Sequence, residues 1–234
     1  RARANECAPF ENVYTLALRG LHDRAMNASN DMADRKQMLQ DALMAQRKML
    51  IDATGKRGED IPQAFTPYKE VLDVYDEGLE LPDDVTIIWP DDNYGYMKRL
   101  SSPKEQKRSG RSGVYYHSSY LGKPHDHLWM NTTSPTLMYE ELRKAYDMTA
   151  DRIWLLNAGD IKSCEFAVDF FLSMAYDIDS FNFDRAATYR TEWLCGMLGD
   201  EYRNEYQDVI NSFYKLAFAR RPEFMGWGYQ WATD

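Results

Sequence analysis

The chain has 234 residues, 28 Lys and Arg against 37 Asp and Glu for a net charge of −9, and is 44% hydrophobic and 14% aromatic. That length supports one large domain, or one and a half smaller ones, with enough apolar mass for a core and too many aromatics for a disordered chain. The acidic balance argues against a nucleic-acid or anionic-membrane surface, because phosphate binding needs a basic patch. No apolar run approaches the ~20 residues that cross a bilayer.

In chain order, a short apolar run recurs, followed by a polar cluster and then a helical stretch. The first run is Asn12–Leu18, ending at Arg19-Gly20, and the spacing of Met32, Leu39, Leu43 and Leu50 predicts a helix from about Asp31 to Asp52 with Gly55 as its stop. The second, Ile61–Thr66, leads through Pro67 into a helix carrying Val71, Leu72, Val74 and Tyr75 and ending at Gly78. The third, Val85–Trp89, is rich in β-branched residues and reads as a strand buried on both faces, broken at Pro90–Gly95. From Ser101 to Gly113 a polar connection carries Lys104, Lys107, Arg108 and Arg111, whose charges read as a solvated loop. Val114–His117 is the fourth run, followed by a long loop to Thr133 and a helix from about Thr136 to Met148. The fifth, Arg152–Leu156, ends at Asn157–Asp160, with helix again from about Glu165 to Tyr176.

Short apolar strands alternating with helices mean parallel βα units. Five are visible, where a closed (β/α)8 barrel has eight in ~250 residues. Residues 1–182 therefore read as the C-terminal part of a TIM-barrel domain. Residues 183–234 read as the start of a helical domain: 183–199 and 201–220 are helical with no strand between them, Arg221-Pro222 stops the second helix, and the apolar tail 224–231 packs on something.

In such a barrel, reactive residues sit at the C-terminal strand ends and in the loops after them. That filter selects Arg19 and Asp23, Tyr68 and Glu70, Asp91 to Asn93, Tyr115 and His117, and Asn157 and Asp160. One Arg, one His, two Asn and several carboxylates on a common rim suit an anionic sugar. Arg and His supply charge for a carboxylate, Asn and Tyr bond hydroxyls, and two carboxyl groups share acid and base duties. Each also has a structural account. Arg19 with Asp23 makes a local ion pair, and Glu70 suits a helix N-terminus. Asp91, Asp92 and Asn93 suit a turn, His117 a satisfied core position, and Asn157 with Gly159 another turn. Their coincidence at five successive strand ends favours the site.

Other chemistries find less support. His125-Asp126-His127 with His117 has the composition of a metal cluster, but adjacent loop residues rarely face one ion and no His-x3-His or Cys pair accompanies them. Ser109–Gly113 lacks the strand–helix context and the lysine of a phosphate loop, and there is no Gly-x-Ser-x-Gly elbow. Cys7, Cys164 and Cys195 are odd in number and widely spaced, which encodes no disulfide framework or zinc site. No cofactor is expected. The chain opens Arg-Ala-Arg-Ala, without an initiator Met or a signal h-region, as a processed chain or an excised piece would.

Trp89-Pro-Asp-Asp-Asn-Tyr-Gly95, then Arg99-Leu100, Gly113-Val-Tyr-Tyr-His117 and Tyr120-Leu-Gly122 resemble glycoside hydrolase family 115, as do Thr15–Gly20, Pro67–Glu70 and Leu156–Lys162 in the same order. The resemblance spans roughly residues 12 to 182. It implies a multidomain, secreted or periplasmic, inverting xylan α-1,2-glucuronidase that removes glucuronic acid or its 4-O-methyl ether. By the same resemblance, Glu70 is the general acid and Asp23 holds or activates the attacking water. Arg19, Asn93, Tyr115, His117 and Asn157 bind the uronate carboxylate, its hydroxyls or the neighbouring xylose. An inverting pair stands ~6.5–9.5 Å apart, with room for water. The sequence departs from the family around His22-Asp23, and it lacks the preceding strands, the N-terminal domain and the C-terminal sandwich. A chain so cut is expected to be inactive alone and to self-associate through its open sheet edge. The rival readings are a non-catalytic carbohydrate-binding or scaffold protein that keeps the barrel rim, and a metal-dependent barrel hydrolase.

Overall fold

The computed structural model describes residues 2–7, 9–21, 24–28, 31–120, 130–159 and 161–224. Its elements are α1 (Ala2–Cys7), β1 (Tyr14–Thr15), α2 (Met32–Thr54), β2 (Gln63–Phe65), α3 (Glu70–Asp76), β3 (Thr86–Pro90), β4 (Ser112–His117), α4 (Pro135–Asp147), β5 (Ala150–Asn157), α5 (Glu165–Tyr176), α6 (Phe183–Leu198) and α7 (Arg203–Ala219). The strands form one sheet in chain order. β1 is parallel to β2, with Tyr14 opposite Gln63, and β2 to β3, with Phe65 opposite Ile87. The ladder keeps that sense onward: Ile87 N donates to Arg111 O and Asp91 N to Tyr115 O, then Ser112 N to Thr149 O and Ser118 N to Asn157 O. This is a partial (β/α)8 barrel of about five units followed by further helices, the class the sequence predicts. The crossover from β3 to β4 carries a single 3-10 turn at Glu105–Lys107 in place of an α-helix.

By contact the chain divides into two compact units: Arg1–Pro90 with Leu100–Gly113 and Met148–Ile153, and Asp91–Arg99 with Val114–Asp147 and Trp154–Asp234. Both draw on residues before 182, so the division is of another kind than a barrel-to-helix boundary.

In the first unit, α2 starts where Asp31, in extended backbone, accepts a hydrogen bond from Ala33 N at 2.7 Å, and it stops at Gly55, whose φ of +68° closes the last turn onto Ile51 O. Its buried Leu39 and Leu43 pack with Leu16, Phe65, Val71, Val74 and Val85. Ile87, Ile88 and Trp89 of β3 are at most 1% exposed, as a strand covered on both faces requires. The expectation of a solvated basic loop fails for one of its four charges, Arg108. Arg108 donates to the carbonyl oxygens of Leu81 (3.2 Å), Pro82 (2.7 Å) and Val85 (3.1 Å), with its side chain 12% exposed. Arg111 forms a two-pronged pair with Asp151. The Arg108 fork donates to three carbonyl groups at the entry to β3 at once, one of which, Pro82 O, also accepts from Val85 N at 3.0 Å. Lys104 and Lys107 are exposed.

β4 passes close to β5 at Gly113, where a Cβ would lie 2.0 Å from Ile153 O. A Gly113→Ala variant is expected to lose about 1–3 kcal/mol of unfolding free energy through forced strand separation, read from the urea midpoint.

The second unit buries Met138, Leu142 and Ala145 of α4, and Phe166, Phe170, Phe171 and Met174 of α5, all at most 6% exposed. Phe170 meets Phe181 and Tyr189 edge-on at 5.4 and 5.2 Å between ring centroids, the aromatic geometry the ring quadrupoles favour. α6 is capped by Asn182, whose side chain accepts from Arg185 N.

Candidate active site

In the first unit the chain leaves β1 at Thr15 and reaches Arg19, while α3 opens on Glu70. Their side chains meet as a fork: Arg19 Nε donates to Glu70 Oε1 at 3.1 Å and Nη2 to Oε2 at 3.0 Å, with exposures of 21% and 23%. Asp23, the local partner that the sequence allowed for Arg19, lies outside the described residues. The Arg19 guanidinium also stands 5.4 Å from the centre of the Tyr68 ring. Between Tyr68 and Glu70, Lys69 holds φ +53°, ψ −124°. That backbone is costly for a side chain with a Cβ, by about 1–3 kcal/mol, and such strain concentrates at functional positions. With both oxygens of Glu70 accepting from one cation, the geometry suits the ionised carboxylate, and delivery of a proton from it requires the fork to open.

In the second unit, a buried pair was hidden among the turn residues. Asp91, 3% exposed, accepts from His117 N at 3.0 Å through Oδ2, and its Oδ1 lies 2.6 Å from His117 Nδ1 and accepts from Asn93 N at 3.1 Å. A carboxylate only accepts, so Nδ1 carries the hydrogen and the tautomer is set. His117, 2% exposed, is thus the satisfied buried histidine of the structural account, and its ring also contacts Tyr115 at 4.6 Å and Tyr120 at 5.6 Å. Asn157 ends β5 and donates through Nδ2 to Tyr115 Oη at 2.7 Å, while its carbonyl accepts from Ser118 N at 3.0 Å. Tyr115, His117 and Asn157 are therefore one connected group, with Asn93 joined to it through Asp91. Parallel register explains the pairing: Asp91 N bonds Tyr115 O, which sets the acid closing β3 beside the histidine closing β4. An acid and a histidine at adjacent strand ends were the signal for it.

Asn93 lies in the turn after β3 with φ +71°. Asp92 Oδ1 accepts from Tyr94 N at 2.8 Å and Tyr96 N at 3.1 Å, so Asp92 is the turn residue that its type suggests. Gly95, at φ +95°, admits no side chain: a Cβ would stand 2.8 Å from Tyr116 Oη. That hydroxyl donates to Gly95 O at 2.9 Å. Burial, and then the nearby Asp91 charge, push the Tyr116 phenol well above its ordinary value. Below pH ~10 both folded and unfolded states keep the proton, and the tyrosine adds no pH dependence. Above pH ~10 the unfolded chain releases the proton first, and stability falls by up to about 1.4 kcal/mol per pH unit. Tyr116→Phe is expected to cost about 1 kcal/mol at neutral pH, for the lost bond to Gly95 O, and to shrink the alkaline loss. Urea midpoints at pH 7 and pH 11 check both.

Among the described residues, no three His, Cys, Asp or Glu side chains are placed to hold a metal ion. His125, Asp126, His127 and Asp160 lie outside them. A cavity of about 600 Å³ opens at the entry ends of β1 and β2, lined by Phe10, Val13, Tyr14, Lys56 and Ile61 among others, and none of the candidate residues borders it.

Parallel βα units with polar groups after the strands put the chain in the class of barrel proteins that work from the C-terminal strand ends. The comparisons with known proteins narrow this. Residues 1–224 match the family described as Glycosyl hydrolase family 115. A solved structure, BtGH115A, described as a family GH115 4-O-methyl-α-glucuronidase with specificity for decorated arabinogalactans, superposes with a TM-score of 0.90 at 41% identity, over 96% of this chain and 30% of that one. No curated protein matches. The chain belongs to glycoside hydrolase family 115, and it spans about 30% of the length of the solved relative.

Proposed function

We propose that this chain is part of an inverting glycoside hydrolase that removes α-linked glucuronic acid, or its 4-O-methyl ether, from a plant polysaccharide. The observation that carries the reading is the Arg19–Glu70 fork: a cation shaped for a carboxylate, shared with a partly exposed acid, at a strand end of a family 115 chain. In this reading Glu70 protonates the leaving oxygen and Asp23 holds the attacking water. Arg19 takes the uronate carboxylate, and Asn93, Tyr115, His117 and Asn157 bond sugar hydroxyls.

Xylan is the substrate that the sequence resemblance implies, and the solved relative's arabinogalactan specificity offers a second backbone. The test supplies both polymers to the full-length protein carrying this chain and follows the released sugar by proton NMR. Uronic acid appearing first as the β-anomer supports inversion at an α-linkage; first appearance of the α-anomer argues for retention. No release from either polymer favours a protein that binds carbohydrate without cleaving it. The 234-residue stretch alone is proposed to be inactive and to self-associate, since large apolar side chains such as Phe10 and Leu21 are 73% and 82% exposed. Sedimentation velocity measures the latter. A polymer substrate implies a secreted or periplasmic enzyme.

A further inference from the structure

We propose that Arg221, which follows α7, is a positioning residue that holds the turn carrying Asn93 in its working shape. The inference rests on the reading of Asn93 as a sugar contact. Its basis is a pair of consecutive carbonyl groups. Tyr94 O accepts from Arg221 Nη2 at 2.7 Å, across 127 residues of sequence, and Gly95 O accepts from the buried Tyr116 hydroxyl at 2.9 Å. The peptide planes 94–95 and 95–96, one residue beyond Asn93, are thereby held by donors from outside the turn. Asn93 itself sits at φ +71°, in the left-handed region that asparagine tolerates better than other residues with a side chain.

The arginine is held in turn. Its Nη1 lies 3.4 Å from Thr133 Oγ1, and two residues on, buried Glu223 accepts from the hydroxyl of buried Thr132. The segment after the last helix is thus anchored to residues 132–133 on one side and to the turn on the other. A cation donating to a neutral carbonyl in a half-buried setting makes a charge-assisted bond that a hydrocarbon side chain cannot replace. Local propensity does not account for it: Arg221-Pro222 reads from sequence as a helix stop, and the stop has a second use.

The experiment is a double-mutant cycle in the full-length protein carrying this chain, with turnover and amide hydrogen exchange as readouts. Arg221→Met is expected to lower kcat/KM about 10- to 100-fold, and Arg221→Lys, which keeps one donor for Tyr94 O, to recover most of it. If Arg221 acts through the turn, the Arg221→Met/Asn93→Ala double variant is no slower than Asn93→Ala alone. Amides of Tyr94 to Met97 exchange faster in Arg221→Met, and those of α4 and α5 do not. Losses that multiply in the double variant, or unchanged exchange in the turn, overturn the proposal. A fully active Asn93→Ala variant would instead remove the sugar-contact reading of Asn93, with the exchange data still deciding whether Arg221 holds the turn.

Discussion

Asp91→Ala is expected to cost the fold about 3–5 kcal/mol, a large share of the roughly 5–15 kcal/mol that a domain has. The carboxylate serves three groups at once, His117 N, His117 Nδ1 and Asn93 N. Two of them belong to a residue that is 2% exposed. Truncation leaves those donors buried with neither partner nor water, so the full desolvation penalty falls on the folded state. Asp91→Asn separates packing from electrostatics. Its amide keeps the volume and one accepting oxygen, so the stability loss drops to about 1–3 kcal/mol. Its NH2 group, however, must face one of the former donors, and the relief available is for His117 to move its hydrogen from Nδ1 to Nε2. Nitrogen-15 chemical shifts of the imidazole report that tautomer, and urea unfolding reports stability. An Asp91→Ala variant as stable as the parent would show that the pair contributes nothing net.

Asp91 also marks how far the residues could be read before the fold was known. Among the described residues, period and punctuation locate every strand and every helix of eight residues or more, because the signals are local. Asp31 and Gly55 frame α2 through their own backbone preferences, and Ile87, Ile88 and Trp89 announce a doubly covered strand by composition alone. Strand lengths were less legible: the run Asn12–Leu18 keeps only Tyr14–Thr15 in the ladder, since pairing depends on the neighbour as well as the strand. The candidate residues were found by their place after the strands, but their partners were not. Arg19 pairs with Glu70 across 51 residues, Asn157 with Tyr115 across 42 and Arg221 with Tyr94 across 127. Arg108 looked solvated for the same reason, its three carbonyl acceptors lying 23 to 27 residues away. Contacts of that separation are fixed by register and crossover, which residue types do not display.

Glu70→Gln tests the chemistry most directly. A general acid contributes about 10²- to 10⁴-fold to a rate, so turnover of the natural polysaccharide by the full-length protein should fall by that much. Glutamine preserves the shape of Glu70 and one oxygen for Arg19, but its amide nitrogen cannot accept the second bond of the fork. The fork to Arg19 is thereby reduced to one bond from a neutral oxygen, which loosens its hold on the guanidinium, and KM for a uronate should hold steady or fall. The decisive comparison is between leaving groups. A sugar alkoxide leaves poorly without a proton, whereas 4-nitrophenolate leaves readily, so the variant should recover most of its rate on an aryl glucuronide. A loss of equal size on both substrates would assign Glu70 to binding or to holding Arg19, and the acid would have to be sought among the other carboxylates.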